Sequence, residues 1–150
     1  MPIIIGCIYL LLFDKTFRNL FYYRIGKYKY LIEFFAKPHG SFVIGTNTKI
    51  GKSMLCVHPI GSIINAKEIG ENFVIRNNTV IGKAKGGLPI IGDNVSIGVN
   101  SVVIGGIHIG NNVKIGAGTI ITKSIPENCI VVGNPAYILK QDGLRVNIQL

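Results

Sequence analysis

The chain has 150 residues, of which 16 are basic and 7 are acidic, and its formal net charge is +9. Apolar residues make up 48% of the chain and charged residues only 15%, which excludes a disordered protein and provides for one hydrophobic core. The positive charge suits an anionic partner, such as a phosphorylated cofactor, a nucleotide sugar, an anionic lipid surface or nucleic acid.

The three cysteines predict neither a disulfide framework nor a metal site. Cys7, Cys56 and Cys129 are odd in number and far apart, and no Cys-x-x-Cys or Cys/His ligand spacing occurs. We therefore expect buried or half-buried thiols in a protein of the reducing cytoplasm.

The first 40 residues combine an apolar run with a basic, aromatic segment. Residues 1–13 are nearly all apolar, but this run is about half as long as a membrane-spanning helix and lacks a signal-peptide pattern. In residues 14–37, basic and aromatic side chains alternate at helical spacings, which predicts short α-helices. The segment either only caps the open end of the repeat that follows or also rests on an anionic membrane. The sequence shows no nucleic-acid-binding module.

A six-residue repeat occupies most of the remaining chain. Between residues 91 and 122 an aliphatic residue stands at every sixth position, usually followed by glycine: Ile91, Ile97, Val103, Ile109, Ile115 and Ile121. This period fits neither an isolated helix nor an alternating strand, but it is typical of a hexapeptide-repeat solenoid. The sequence thus predicts an all-β solenoid, a left-handed parallel β-helix of about thirteen hexads in roughly four coils, after a short α-helical N-terminal segment.

We divide the chain into an N-terminal segment (residues 1–40), the hexapeptide-repeat β-helix (residues 41–125) and a C-terminal exit segment (residues 126–150). Pro38, His39 and Gly40 mark the first boundary, since proline and glycine end regular elements. In the exit segment a short helix is expected from Tyr137 onward.

The repeat is interrupted twice. From Cys56 to Ile63 the aliphatic spacing indicates one extra residue beside His58, and from Ile81 to Ile91 it indicates four extra residues, a loop within residues 83–89. Insertions in a solenoid form surface loops and often carry function. His58 is therefore either a candidate catalytic residue or a polar residue tolerated at the bulge, whereas His39 and His108 are expected to face solvent. The sequence contains no P-loop, nucleophile-elbow or zinc-protease motif.

Residues 44–139 resemble the hexapeptide-repeat acyltransferases of the serine acetyltransferase type and, more narrowly, the O-acetyltransferases of capsule and O-antigen synthesis. The resemblance rests on KIGKSMLCVHPIGSIINAKEIGENFVIRNNTVIG, on the coils that end in TIITKSIP, and on VVGNPAYIL. It implies a homotrimer that binds acetyl-CoA between neighbouring solenoids. His58 falls where the family has its catalytic histidine, which acts as general base on the acceptor hydroxyl.

The same resemblance assigns residues to the cofactor. Small residues would let pantetheine lie against the backbone, and lysines would meet the phosphates of CoA as point charges. For the glycines, simple corner geometry is an equally direct explanation. The matching positions are Gly82 and Lys83 at the loop, Val99, Gly105 and Ala117 at corners, and Thr122 and Lys123 at the exit.

Three departures from the family pattern bear on the acceptor. Val43 stands where serine acetyltransferases have the aspartate that orients the histidine, Val57 replaces an acid, and Gly87-Leu88 replaces an Arg-His pair that recognises serine. From these losses we expect a sugar hydroxyl of a surface polysaccharide or its precursor as acceptor, at the cytoplasmic membrane face. The open alternatives are a small amino acid or amine, and a non-catalytic scaffold. A backbone carbonyl or a neighbouring subunit remains open as the group that orients His58.

Overall fold

The computed structural model describes residues 3–38 and 40–150, so the expectation for His39 lies outside the described residues. Two helices, α1 (Ile3–Phe13) and α2 (Lys15–Ile25), and a 3-10 helix (Gly26–Leu31) precede sixteen short strands. The strands are β1 (Phe42–Ile44), β2 (Lys49–Ile50), β3 (Leu55–Val57), β4 (Ser62–Ile64), β5 (Glu68–Ile69), β6 (Val74–Arg76), β7 (Val80–Gly82), β8 (Ile90–Ile91), β9 (Ser96–Ile97), β10 (Val102–Ile104), β11 (His108–Ile109), β12 (Lys114–Ile115), β13 (Ile120–Ile121), β14 (Cys129–Val132), β15 (Tyr137–Gln141) and β16 (Leu144–Gln149).

Every third strand stacks on the same side of a prism. One sheet has five strands in the order β1-β4-β7-β10-β13, a second has four in the order β2-β5-β8-β11, and the third has seven, in the order β3-β6-β9-β12-β14-β15-β16. The strands of neighbouring coils pair in parallel. This arrangement confirms the predicted hexapeptide-repeat solenoid, with about five turns along the five-stranded sheet.

The core is the predicted ladder of aliphatic side chains. The six positions from Ile91 to Ile121 are all buried, with no more than 3% of any side chain exposed. Small or β-branched residues two positions earlier, such as Ser101 and Thr119, are buried as well. The core is therefore continuous from coil to coil, and each coil gains stability mainly from its two neighbours.

One register prediction is wrong. Ile63, which was expected to point inward, is 46% exposed, whereas Ile64 is fully buried and pairs with Ile44 and Ile81 in the neighbouring coils. Both are isoleucines, so hydrophobicity alone does not distinguish them. The interruption after Cys56 therefore holds two extra residues instead of one, and the side from Ile64 to Ile69 is one residue shorter.

Asparagines build one corner of the prism. Asn72, Asn94, Asn112 and Asn128 all have φ between 55° and 58°, a left-handed conformation that asparagine tolerates better than most residues. Each side-chain amide donates to the side-chain oxygen of the next coil at 2.9–3.0 Å, and the ladder ends on Asp142. The repeated corner is thus held by side chains as well as by the sheets.

Helix α2 caps the first coil. The Asn19 amide donates to the carbonyl of Phe42 at 2.8 Å, and the Arg24 guanidinium donates to the carbonyls of Ile50 (2.9 Å) and Gly51 (2.5 Å). The Tyr23 hydroxyl donates to the carbonyl of Thr48. Since no earlier coil covers this end, these donors occupy carbonyls of an otherwise open sheet edge. Among the described helices, none is long and apolar enough to cross a bilayer.

The expected helix from Tyr137 onward is wrong. The exit segment forms the antiparallel strands β15 and β16, which extend the seven-stranded sheet. Asp142 and Gly143 join them with φ of 49° and 82°, as a two-residue hairpin turn requires. This Asp-Gly pair was visible in the sequence and is a hairpin signal.

The asparagine ladder predicts a graded loss of stability at Asn94. Asn94→Gly removes two side-chain hydrogen bonds but keeps the left-handed backbone, so the free energy of unfolding should fall by about 1–2 kcal/mol. Asn94→Ala also places a Cβ without a local hydrogen-bonding group in the left-handed conformation, so the free energy of unfolding should fall by about 1–2 kcal/mol more. Urea unfolding measures both. Equal losses for the two variants would contradict the role of the backbone conformation.

Candidate active site

His58 and Pro59 form a two-residue bulge between β3 and β4. In the next coil, two residues separate Arg76 from Thr79, which lie opposite Val57 and Ser62, whereas four residues separate Val57 from Ser62. The bulge is tied down by its backbone: the Ile60 amide donates to the His58 carbonyl at 2.7 Å, and the Gly61 amide donates to the Ser41 carbonyl at 2.7 Å. Pro59 is buried, and the His58 imidazole is exposed.

The backbone of His58 is in an uncommon conformation. Its φ is 48°, in the left-handed region that costs a non-glycine residue about 1–2 kcal/mol. Such residues cluster at functional sites because the surrounding structure must hold them there. The neighbouring hydrogen bonds do so here, and they project the imidazole outward from the corner.

No carboxylate in residues 3–38 and 40–150 hydrogen-bonds to the His58 imidazole. Val57 pairs with Arg76, and Val43 pairs with Ile63 on the outer face of the five-stranded sheet. The two positions where the resembling enzymes carry acids are thus aliphatic in this chain. The structure describes no cluster of three or more His, Cys, Asp or Glu side chains that could hold a metal ion.

Cys56, two residues from His58, is not a thiolate nucleophile. Its thiol occupies the inward slot of β3, and burial raises its pKa to about 12. A protonated thiol is a poor nucleophile, since the thiolate is the reactive form. The arrangement therefore favours direct attack by an acceptor over a covalent cysteine intermediate.

Two predicted cofactor residues share the corner of His58. We call this the histidine corner: it is the edge between the seven-stranded and five-stranded sheets, and it contains His58, Val99 and Ala117. Backbone hydrogen bonds run up this edge, from Asn78 to the Ile60 carbonyl (2.9 Å) and from Gly118 to the Val99 carbonyl (2.8 Å). Val99 and Ala117 therefore stand above the bulge in successive coils.

The other predicted cofactor residues lie together on the next edge. This loop corner, between the five-stranded and four-stranded sheets, contains Gly82, Lys83, Gly105, Thr122 and Lys123. The Gly105 amide donates to the Gly82 carbonyl at 3.1 Å. A cavity of about 510 Å³ beside the loop is lined by Lys83, and another of about 230 Å³ by Thr122 and Lys123. Lysines at these openings suit a phosphorylated ligand.

The loop of residues 83–89 rests on the coil above it. Ala84 and Gly87 exchange backbone hydrogen bonds of 3.1 Å, and the Gly106 amide donates to the Lys85 carbonyl at 3.0 Å. A Cβ at Gly106 would lie 2.1 Å from the Gly86 carbonyl oxygen, so only glycine permits this close approach. The glycine pair at 105 and 106 therefore positions the loop.

The two corners lie on opposite edges of one aliphatic face. The outward side chains of the five-stranded sheet stack in register as Val43, Ile63, Val80, Val102 and Ile120. In a single chain this face separates His58 from Lys83. The structure thus brings the predicted site residues into two groups and does not join them within one molecule.

The sequence analysis missed a cavity at the end of this face. It has a volume of about 470 Å³, lies between the N-terminal segment and β1, and is lined by Lys27, Lys29 and Tyr30 together with Val43. Its wall includes Gly40 and Phe42, which flank the Ser41 carbonyl that accepts from the bulge. The signal was the alternation of basic and aromatic residues, which we interpreted only as a cap or membrane surface.

Known proteins resemble the chain in sequence and structure. Residues 90–123 match the hexapeptide repeat of succinyl-transferase. A serine acetyltransferase of Staphylococcus aureus (strain Mu50 / ATCC 700699) is 41% identical over 108 residues, which are 69% of this chain and 51% of that protein. The crystal structure of Neisseria gonorrhoeae serine acetyltransferase matches with a TM-score of 0.73 and 27% identity, over 91% of this chain and 57% of that one. Serine acetyltransferase from Brucella abortus strain S19 in complex with coenzyme A matches with a TM-score of 0.61 and 28% identity, over 67% and 42%.

These similarities correct the prediction of a sugar acceptor. The similar sequence and the similar structures named above are all serine acetyltransferases, and none of them is a polysaccharide O-acetyltransferase. The chain spans about half the length of the curated relatives it matches. In its repeat and its fold the chain is a hexapeptide-repeat solenoid, and it is similar to serine acetyltransferases in sequence and in structure.

Proposed function

We propose that the chain transfers an acetyl group from acetyl-CoA to the side-chain hydroxyl of a small amino acid, serine foremost. The observation that carries the proposal is the outward bulge at His58 in a solenoid whose relatives are serine acetyltransferases. The imidazole of histidine is a common general base in enzymes.

The reaction needs only proton transfer and positioning from the protein. The acceptor hydroxyl gives its proton to the imidazole of His58 while its oxygen attacks the thioester carbonyl. The new C–O bond forms, the C–S bond breaks, and the proton passes to the leaving thiolate of CoA. Backbone amides at the glycine-rich corners can stabilise the oxyanion that develops.

The cavity beside β1 offers a place for the amino acid. Lys27 and Lys29 line it and can attract a carboxylate as point charges, and the Tyr30 hydroxyl supplies a further polar group. The loss of the Arg-His pair at Gly87 and Leu88 was one of the three departures that spoke against serine. Cations from the N-terminal segment can serve in place of that pair.

We further propose a homotrimer in the cytoplasm. The aliphatic face formed by Val43, Ile63, Val80, Val102 and Ile120 is an apolar surface that a second copy would cover. Around a threefold axis, the histidine corner of one copy meets the loop corner of the next. CoA held between them would contact both groups of predicted residues. The N-terminal segment would face the inner surface of the membrane.

His58→Ala should abolish turnover without loss of assembly. Removing a positioned general base should lower kcat by roughly 10²–10⁴-fold. Release of free CoA thiol with serine as acceptor measures the rate, and calorimetry with CoA should show unchanged binding. Unchanged turnover would contradict the role of His58, and a wild-type protein that binds no CoA would instead be a scaffold.

Ile63→Asp should break the trimer. A carboxylate within the covered aliphatic face would be buried without a partner, which is strongly unfavourable. Leu55→Asp is the matched control, because Leu55 is similarly exposed (56%, against 46% for Ile63) on a different sheet. Light scattering should show monomers only for Ile63→Asp. The same mass for both variants would place the interface elsewhere.

A further inference from the structure

Helix α1 is hydrophobic on all sides and yet none of its residues is buried. A helix of this composition is normally enclosed by protein or by lipid. Its eleven residues are about 16 Å long at 1.5 Å per residue, which is half of a hydrocarbon core. The large exposed side chains are Ile3, Ile4, Ile5, Ile8, Tyr9, Leu10, Leu12 and Phe13.

The exposed surface continues beyond α1. The Arg18 guanidinium donates to the carbonyls of Leu11 (2.6 Å), Leu12 (2.5 Å) and Lys37 (2.8 Å), so the end of α1 lies beside the segment that leads into the solenoid. That segment exposes Phe34 and Phe35, at 85% and 79%. The apolar surface thus consists of α1 and of the segment with Phe34 and Phe35, and the buried Arg18 side chain holds the two together.

The charges around this surface are positive. Residues 3–38 contain six basic and two acidic residues. Of the two acids, Asp14 accepts from the amides of Thr16 and Phe17 as a helix cap, and the Glu33 Oε2 atom is buried. Lys15 and Lys37 are exposed next to the apolar side chains.

We propose that α1 inserts into one leaflet of an anionic membrane and anchors the protein there as a monotopic protein. The acyl chains would cover the apolar surface on every side of the helix, and the anionic headgroups would attract the flanking lysines. A second copy of this chain is disfavoured as the occupant, since two such surfaces would bring like charges together. The proposal does not depend on acetyl transfer.

The geometry sets the orientation on the membrane. Helix α1 leads directly into α2, which caps the first coil, so the membrane would lie at the N-terminal end of the solenoid and the coils would extend away from it. In a trimer, three copies of α1 would lie at the same end, and the combined affinity would exceed that of one helix.

Cys7 provides a probe at the centre of α1. It is exposed, whereas Cys56 is half-buried and Cys129 is buried, so a maleimide carrying an environment-sensitive fluorophore should label Cys7 selectively. With vesicles of phosphatidylglycerol and phosphatidylcholine, the emission should shift to the blue and be quenched by nitroxide-bearing acyl chains. No shift and no co-sedimentation with these vesicles would overturn the proposal. A shift without vesicles that grows with protein concentration would overturn it in favour of a second copy.

Variants separate the apolar and charged contributions. Ile4→Asp and Ile8→Asp should each lower the partition coefficient more than tenfold, while Leu144→Asp, an exposed leucine of the C-terminal hairpin, should not change it. Lys15→Ala and Lys37→Ala should each lower it roughly fivefold at low salt. Circular dichroism checks the fold of every variant. Equal partition into purely neutral vesicles, or an equal loss for Leu144→Asp, would overturn the proposal.

Discussion

The six-residue period of the inward side chains is the constraint on which the rest of the structure depends. On each side of the prism, each coil must place one aliphatic side chain inward, directly above the inward side chain of the coil below. Any extra residue therefore has to leave the prism at a corner. The bulge at His58 and the loop after Gly82 are the two places where this happens before the exit, and each is held by backbone hydrogen bonds to an adjacent coil.

The same constraint separates the chemistry from the core. Substitutions at His58, Lys83 or Lys85 need not disturb the ladder of Ile and Val, because these three side chains are exposed. Conversely, the outward face of the five-stranded sheet is as regular as the inward one, and its aliphatic column supplies a flat surface between the two corners. A site that uses both corners would follow from the proposed packing of copies around a threefold axis.

The architecture could be predicted from the sequence because the six-residue period occurs many times. Each further hexad with an aliphatic residue at the same position indicates the same coil geometry. Local deviations could not. Ile63 and Ile64 are chemically identical, so only the pairing with Ile44 and Ile81 decides which one is buried. The hairpin after Tyr137 was predictable from Asp142 and Gly143 but lies outside the repeat. For the candidate site, His58 could be proposed from its place at an interruption, whereas the cavity near Lys27 depends on how the N-terminal segment folds back. The sugar acceptor was predicted wrongly because the prediction rested only on the family residues that are lost at Val43, Val57 and Gly87-Leu88. A lost residue does not show which acceptor the remaining residues can bind.

The central claim is that one site is built from His58 of one copy and the loop corner of the next. Mixed trimers of His58→Ala chains and Lys83→Glu/Lys123→Glu chains, isolated with two affinity tags, test it most directly. Neither parent trimer should release CoA with serine. Every mixed trimer contains one intact pair of corners, so it should recover about one third of the wild-type rate, whatever its stoichiometry. Mixed trimers as inactive as their parents would show that the site does not span two copies.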